Sequence, residues 1–333
     1  MRAGPRGNPE RGSRAGGALA PGRRVRIWDL AGARENVERG SRVGGALAPG
    51  RRVRIWDLAG PRALVLGAWL AAGCGGAPAV QPPSAAASAA APLSLAADDR
   101  MIAVPAGRFI AGSTPEERAA ACDDFLATAG ADTARTERWF EREADRHVVE
   151  SAGYRIDLMP VIQAQFAEFV AAERVAPPAG WIDGRPAPGR EDHPVVEVAW
   201  ADAGRYCAWR GALRGERRRL PTADELERAA RGDGGLPYPW GNGYAPEKLN
   251  SAVRGPGDTA PAGSYPDGAS PYGVLDLAGN VYHWTATRRG DQIVIKGSAW
   301  RDFAGLGRGA WFDTRPAATR DAVVGFRCAG DAP

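Results

Sequence analysis

Seven side chains in this 333-residue chain could bind a soft metal or act as sulfur or imidazole nucleophiles: Cys74, Cys122, Cys207 and Cys328, with His147, His193 and His283. Their spacing excludes several chemistries. There is no Cys-x-x-Cys pair, and no cysteine lies between 208 and 327. A local thiolate pair for redox exchange, or for a soft ion such as Cu(I), is therefore absent from that long stretch. Ser, His and Asp are present, but there is no Gly-x-Ser-x-Gly elbow and no phosphate-cradling Gly loop. A three-histidine iron or zinc site would need all three imidazoles to converge. Nothing in the spacing demands that, and a framework role is the plainer reading for His147 and His193.

His283 sits in the most informative stretch, Gly273-Val-Leu-Asp-Leu-Ala-Gly-Asn-Val-Tyr-His-Trp284. The pattern predicts a short apolar strand, a Gly-Asn turn and a second strand with aromatics at alternate positions. Other elements surround it. Met101-Ile-Ala-Val-Pro-Ala-Gly-Arg-Phe-Ile-Ala-Gly-Ser113 reads as strand, turn, strand. Residues 114–146 read as two polar helices, capped by Ser113 or Thr114 with Pro115 at the first helical position. Ile162, Phe166, Phe169 and Val170 share one helical face. His193 to Trp200 predicts a strand and Ala201 to Gly211 a helix. In Arg219-Leu-Pro-Thr-Ala-Asp-Glu-Leu-Glu-Arg-Ala-Ala-Arg-Gly232, Thr222 and Glu225 form a capping box and Gly232 is placed to end the helix.

Composition bounds the rest. Gly (44) and Pro (27) make up a fifth of the chain, which suits a loop-rich α+β domain with a long lead rather than a helical bundle. Residues 1–62 hold 14 Arg against five acids and so carry +9; since the whole chain carries +4, residues 63–333 carry −5. The mildly acidic remainder has no basic stripe, which argues against a nucleic-acid partner. Within the lead, residues 12–32 and 40–60 are near copies at a period of 28. Two polar Gly/Arg-rich copies are too few to stack as a solenoid, so 1–62 is expected to be disordered or untranslated. The apolar run Ala63 to Gly73 is too short to span a bilayer but fits a signal h-region. Its ending, Leu-Ala-Ala-Gly-Cys74, resembles a bacterial lipobox. That implies lipidation of Cys74, membrane attachment through the lipid and a place in the bacterial cell envelope. Residues 75–98 read as an Ala/Pro/Ser tether, and 99–333 as one globular domain.

The motifs of that domain closely resemble the formylglycine-generating enzyme (sulfatase-modifying factor) family. The carriers are the opening at 101–113, the string Arg219–Gly232, Tyr238-Pro-Trp-Gly-Asn242, the block 273–284, Lys296-Gly-Ser-Ala-Trp300 and Val324-Gly-Phe-Arg-Cys-Ala329. The resemblance spans 99–330. It implies an α+β fold, the sulfatase-modifying-factor variant of the C-type-lectin-like fold, with little regular secondary structure. It departs from the family at His283, where Glu is usual, and at Leu226, where Trp is usual.

The resemblance also implies where chemistry would sit. Family members that make formylglycine hold Cu(I) with two cysteines between the Gly-Gly-Ser-Trp motif and the closing Gly-Phe-Arg. Here Trp300 to Arg327 contains none, so copper is not expected. Cys207 and Cys328 match positions that form a disulfide in some members; two separate buried thiols are the alternative, and Cys122 is left over. One family Ca²⁺ site maps onto Asp276, Gly279, Val281 and His283, where imidazole replaces a wanted oxygen. The other would begin at Asn250 and Ser251. At most one Ca²⁺, with a structural role, is expected. The lectin-like fold presents a variable face between Trp284 and Gly325, with His283, Trp300, Arg301, Asp302 and Arg308 as its candidate pocket, flanked by Arg288, Arg289, Phe303, Trp311, Phe312 and Arg315. These features suit a module that binds a peptide, glycan or protein. An oxidase of altered, non-thiolate metal chemistry, like members that act in siderophore maturation without the cysteine pair, is the alternative, and formylglycine generation is a third reading.

Overall fold

The computed structural model describes residues 99–332. The duplicated lead at 1–62, the apolar run with Cys74 at 63–74 and the tether at 75–98 lie outside the described residues. Strand β1 (Met101–Val104) pairs with β4 (Tyr154–Asp157), which pairs with β10 (Ala329–Asp331), which pairs with β5 (Arg218–Arg219), all antiparallel. Strand β2 (Gly107–Ala111) pairs with β3 (His147–Ser151) in a separate ribbon. The third sheet runs β8 (Phe312–Pro316), β7 (Gln292–Lys296), β6 (Tyr282–Arg289), β9 (Val324–Gly325), with β6 and β9 parallel. The first and last strands thus meet in one sheet, and the two strands around Pro105 belong to different sheets.

Helix α1 (Pro115–Ala129) starts at Thr114, whose hydroxyl accepts the Glu117 N–H while Glu117 accepts the Thr114 N–H. A short α2 (Thr133–Thr136) and a 3-10 turn at Phe140–Arg142 complete the 114–146 excursion. Helix α3 (Gln163–Glu173) and helix α4 (Trp200–Leu213) share an aromatic core. In it Phe166 stacks on Tyr206 at 5.7 Å and Phe326 meets both. Helix α5 (Ala223–Arg231) has the capping box read from sequence: the Glu225 N–H donates to Thr222 Oγ1 at 3.1 Å and the Thr222 N–H to Glu225 at 2.8 Å. Every residue from Leu226 to Arg231 is buried, charged ones included.

Two predicted strands do not form. His193 to Ala199 is irregular: Pro194 has no N–H to give a ladder, and Glu197 takes a left-handed backbone, φ 59°. Gly273 to Asp276 is a loop, because Gly273 and Asp276 both have positive φ (84° and 52°). The aromatic strand after the Gly-Asn turn does form, as β6.

Cys207 of α4 and Cys328, the residue before β10, form a disulfide with Cα atoms 5.6 Å apart, closing a loop across 121 positions. Beside it Asp157 accepts the Cys328 N–H at 2.7 Å and lies 3.7 Å from Arg218. Asp99, where the domain begins, gathers Arg210, Arg214 and Arg218.

Two expectations follow. Replacing both Cys207 and Cys328 with Ala should destabilise the domain by about 2–5 kcal/mol, since the bridge restrains a long loop of the unfolded chain; calorimetry of reduced-resistant wild type against the double variant measures it. Asp157 is largely shielded, its side chain 15% exposed, and the loss of water pushes its carboxyl up to about 7 against the opposing pull of the Cys328 N–H and of Arg218 and Arg327. The folded state then keeps a proton that the unfolded chain loses near pH 4. The associated stability is full below that pH, declines as pH rises toward 7 and is gone above it. Asp157→Asn should therefore gain on the wild type by about 1–3 kcal/mol between pH 5 and pH 8, read by urea unfolding at both values.

Candidate functional site

The site grows from β6. Its first four residues are buried on both faces, so Tyr282 and His283 point to opposite sides of the strand. His283 is 1% exposed. Its Nε2 lies 2.9 Å from the Asp276 carbonyl and 3.2 Å from Arg327 Nη2. Burial, then the Arg327 charge, holds its pKa well below the ordinary imidazole value. The ring is neutral, and the network assigns the proton to Nε2, which donates to the carbonyl. Nδ1 is then a buried acceptor with no partner. Arg327 is fully buried and donates to the carbonyls of Asp157, Leu158, Leu275 and Asp276.

This arrangement does not suit Ca²⁺ at Asp276, Gly279, Val281 and His283. The Asp276 carboxylate accepts the Gly263 N–H, its carbonyl is taken by Arg327 and His283, and a guanidinium stands 3.2 Å from the imidazole nitrogen. Hard cations seek free oxygens and avoid a fixed positive neighbour. Asn250 and Ser251 differ. Asn250 Nδ2 donates to the Asp258 carbonyl and to Asn280, while Asn250 Oδ1 is buried and unpartnered. A Cβ on Gly255 would fall 2.2 Å from that oxygen and 2.9 Å from the Ser251 carbonyl, so only glycine admits the close approach. The Asp258 carboxylate is turned away to Arg190 at 3.1 Å. Asn250 Oδ1 and the Ser251 carbonyl are the oxygens that would hold a cation here. Among the described residues, no group of three or more His, Cys, Asp or Glu side chains could hold a metal ion. His147 is exposed against the Asp145 carbonyl, and His193 is buried against Thr259.

On the other side of β6 is Asp302, 3% exposed. It accepts the Ala299 N–H at 2.9 Å, and its carbonyl accepts the Ala252 N–H at 3.0 Å. Burial pushes its carboxyl up to about 6, opposed by the Ala299 N–H, the Tyr282 hydroxyl and Arg301. Trp311 Nε1 donates to the Tyr282 hydroxyl at 3.3 Å. Trp300 is half-buried, with a shielded, unpartnered Nε1. The structure therefore corrects the candidate pocket. Asp302, Tyr282, Trp311 and Arg301 come together, His283 lies across the strand under Arg327, and Arg308 is locked in a buried pair with Glu143 at 3.1 Å. His283, Asp302, Arg308 and Trp311 are interior, not part of an open face.

Sequence reading missed why. The 114–146 excursion roofs residues 303–312. Phe125 meets Phe303 at 5.8 Å and Phe140 meets Trp311 at 5.3 Å. Thr128 accepts the Ala304 N–H at 3.2 Å. Tyr238 donates its hydroxyl to Asp124 at 3.1 Å. Gly305, φ 83°, lies so close to α1 that a Cβ would be 2.5 Å from the Ala121 carbonyl. The legible signals were Phe125, Trp139 and Phe140 within a polar segment, and the Gly305, Gly307, Gly309 alternation.

What remains outside is a guanidinium–aromatic face at the open end of β6. Arg288 lies over half-buried Trp200 at 4.7 Å, and Arg289 over half-buried Phe312 at 4.9 Å. Arg142 approaches Phe312 from the roof at 5.8 Å.

Comparison with known proteins is consistent across sequence and structure. A family model described as the sulfatase-modifying factor enzyme 1-like domain matches residues 87–332. The chain is 33% identical over 301 residues to a Mus musculus protein named inactive C-alpha-formylglycine-generating enzyme 2, covering 72% of this chain and 88% of that one. It is 30% identical over 213 residues to the formylglycine-generating enzyme of Mycobacterium tuberculosis, covering 45% and 69%. The solved structure of PvdO from Pseudomonas aeruginosa superposes with a TM-score of 0.52 at 25% identity, covering 70% of this chain and 94% of that one. With its C-type-lectin-like α+β fold and its ordered motifs, the chain belongs to the sulfatase-modifying-factor, or formylglycine-generating enzyme, family.

Proposed function

We propose that this chain is an exported, lipid-anchored member of the family that binds a partner through the 284–325 face and does not make formylglycine. The observation that carries the reading is the cysteine inventory: none lies between Trp300 and Arg327, and Cys328 is already bridged to Cys207. Without a thiolate pair the family's Cu(I) chemistry has no ligands of the required softness. A relative whose name carries the word inactive supports the same reading. Among a peptide, a glycan and a protein, the guanidinium–aromatic pairs at Trp200 and Phe312 favour a polypeptide, since Arg and aromatic side chains dominate binding energy in protein interfaces. Cys74 supplies the anchor and the bacterial cell envelope the location. A structural Ca²⁺ would sit on Asn250 and Ser251.

A second reading is an oxidase of altered metal chemistry. The specific feature in its favour is Asp302, buried beside Tyr282 and Arg301 with its carboxyl raised into the range of a working acid or base.

Three measurements test these readings. Incubation with a Cys-x-Pro-x-Arg peptide, copper and O₂ is expected to yield no formylglycine by mass spectrometry; any formation overturns the proposal. Metal analysis of the purified protein is expected to find no stoichiometric copper or iron, and finding either moves the chain to the oxidase reading. In cells fed a palmitate analogue, the wild type should take up label and Cys74→Ala should not; label on the variant refutes the anchor.

A further inference from the structure

The loop that follows helix α5 carries a reactive dipeptide. Asn242 precedes Gly243, and both are exposed. Asparagine is among the chemically labile residues. Its side-chain amide can be attacked by the main-chain nitrogen of the next residue, and glycine, which has no Cβ, leaves that nitrogen the clearest approach. Whether such a pair reacts depends on how the fold holds it.

The fold fixes both sides of this pair and leaves its reacting atoms unengaged. Tyr238 and Gly241 exchange main-chain hydrogen bonds at 3.0 and 3.1 Å around a Pro239–Trp240 turn. Trp240 stacks on Tyr238 with ring centroids 5.3 Å apart, and its Nε1 donates to the Gly243 carbonyl at 2.9 Å. Among the described residues, no group accepts the Gly243 N–H and none bonds the Asn242 amide. Asn250 and Asn280 are held differently, each 1% exposed. Asn250 Nδ2 donates to the Asp258 carbonyl and to Asn280, and Asn280 Nδ2 donates to the Ala260 carbonyl. Ser251 and Val281 follow them, so a Cβ stands beside each attacking nitrogen, and the Ser251 N–H already donates to the Arg254 carbonyl at 3.3 Å.

Conformation does not require the glycine at 243. A Cβ there would meet nothing within 4 Å, and its φ lies outside the left-handed region. Gly241, at φ 143°, is the glycine this loop needs for its path. What Gly243 supplies is an unhindered nitrogen.

We infer that Asn242 is a self-modification site. Hydroxide takes the Gly243 amide proton, and the nitrogen attacks the Asn242 Cγ. A C–N bond forms, the bond from Cγ to the side-chain nitrogen breaks, and ammonia leaves. Water then opens the cyclic imide at either carbonyl, which leaves aspartate or isoaspartate in place of Asn242. No oxidant or reductant takes part. The loop gains a carboxylate and, in the isoaspartyl product, an extra main-chain carbon just before the residue whose carbonyl holds Trp240. The site lies outside the 284–325 face and holds or fails independently of the partner-binding reading.

The test is peptide mapping of the purified full-length protein after ageing at neutral and at mildly alkaline pH. The peptide that carries Asn242 should convert from amide to acid as two isomeric products, and faster at the higher pH, because the step needs a base. Asn250 and Asn280 should keep their amides. Gly243→Ala, whose added methyl faces open space, should lose most of the conversion with an unchanged melting temperature. The isomer pair and its pH dependence are read on the wild type, so the test stands even if that variant fails to fold. Retention of the Asn242 amide while the excised peptide converts, or a single aspartyl product, the mark of direct hydrolysis, would overturn the inference. So would equal conversion at Asn250 or Asn280, or undiminished conversion in folded Gly243→Ala.

Discussion

The buried triad of Glu227, Arg231 and Lys296 is the interaction on which the rest of the fold leans. Glu227 meets Arg231 at 2.7 Å and Lys296 at 2.8 Å, and accepts the Gly112 N–H at 2.8 Å. Burial alone would raise its pKa, but Lys296, Arg231 and the backbone donor outweigh that and hold it low. Arg231 then donates to the carbonyls of Gly112, Gly235 and Leu236. One carboxylate thereby joins helix α5, strand β7 and the point where β2 gives way to the roof. Losing it would strand two interior cations, a disruption of about 3–5 kcal/mol. Lys296 also pairs across the sheet with His283 on one side and Phe312 on the other. The triad thus fixes the height at which both candidate regions sit.

How much of this was legible depends on how local its cause is. The α5 cap is written in Thr222, Glu225 and Gly232, and local hydrogen bonds enforce it. The Cys207–Cys328 bridge came from family resemblance, since nothing near either residue specifies its partner. The predicted strand at 193–200 failed because alternation of Val residues says nothing about the positive φ of Glu197. His283 was misplaced for a different reason. Residues 282–285 are buried on both faces, and where both faces are covered, period two no longer separates inside from outside. Arg308 and Trp311 are covered by a segment more than 150 positions earlier, and no window of sequence around them carries that information.

The scaffold residues and the family's metal-ligand positions have fared differently. The charges and turns that build the fold remain: the α5 string, the Gly-Asn turn, and Arg327 with its four carbonyl acceptors. The side chains the resemblance would assign to metal ions are what differ. Imidazole stands where a carboxylate would be, and a Gly-rich, fully buried run occupies the stretch in which the resemblance places the thiol pair. A buried Arg308–Glu143 pair anchors that run to the roof.

The roof departs and returns at neighbouring points. Ala111 pairs with His147 and Ser113 bridges Asp145, so the β2–β3 ribbon clamps its two ends together. The entropy of closing a loop grows only with the logarithm of its length, and here the ribbon has already closed it. Length and composition between those ends are therefore nearly decoupled from the folding of the rest. Descendants of this chain could lengthen, trim or rewrite the roof without renegotiating the sheets beneath it, provided that Gly305 and Trp311 stay covered and Arg308 keeps its buried carboxylate partner.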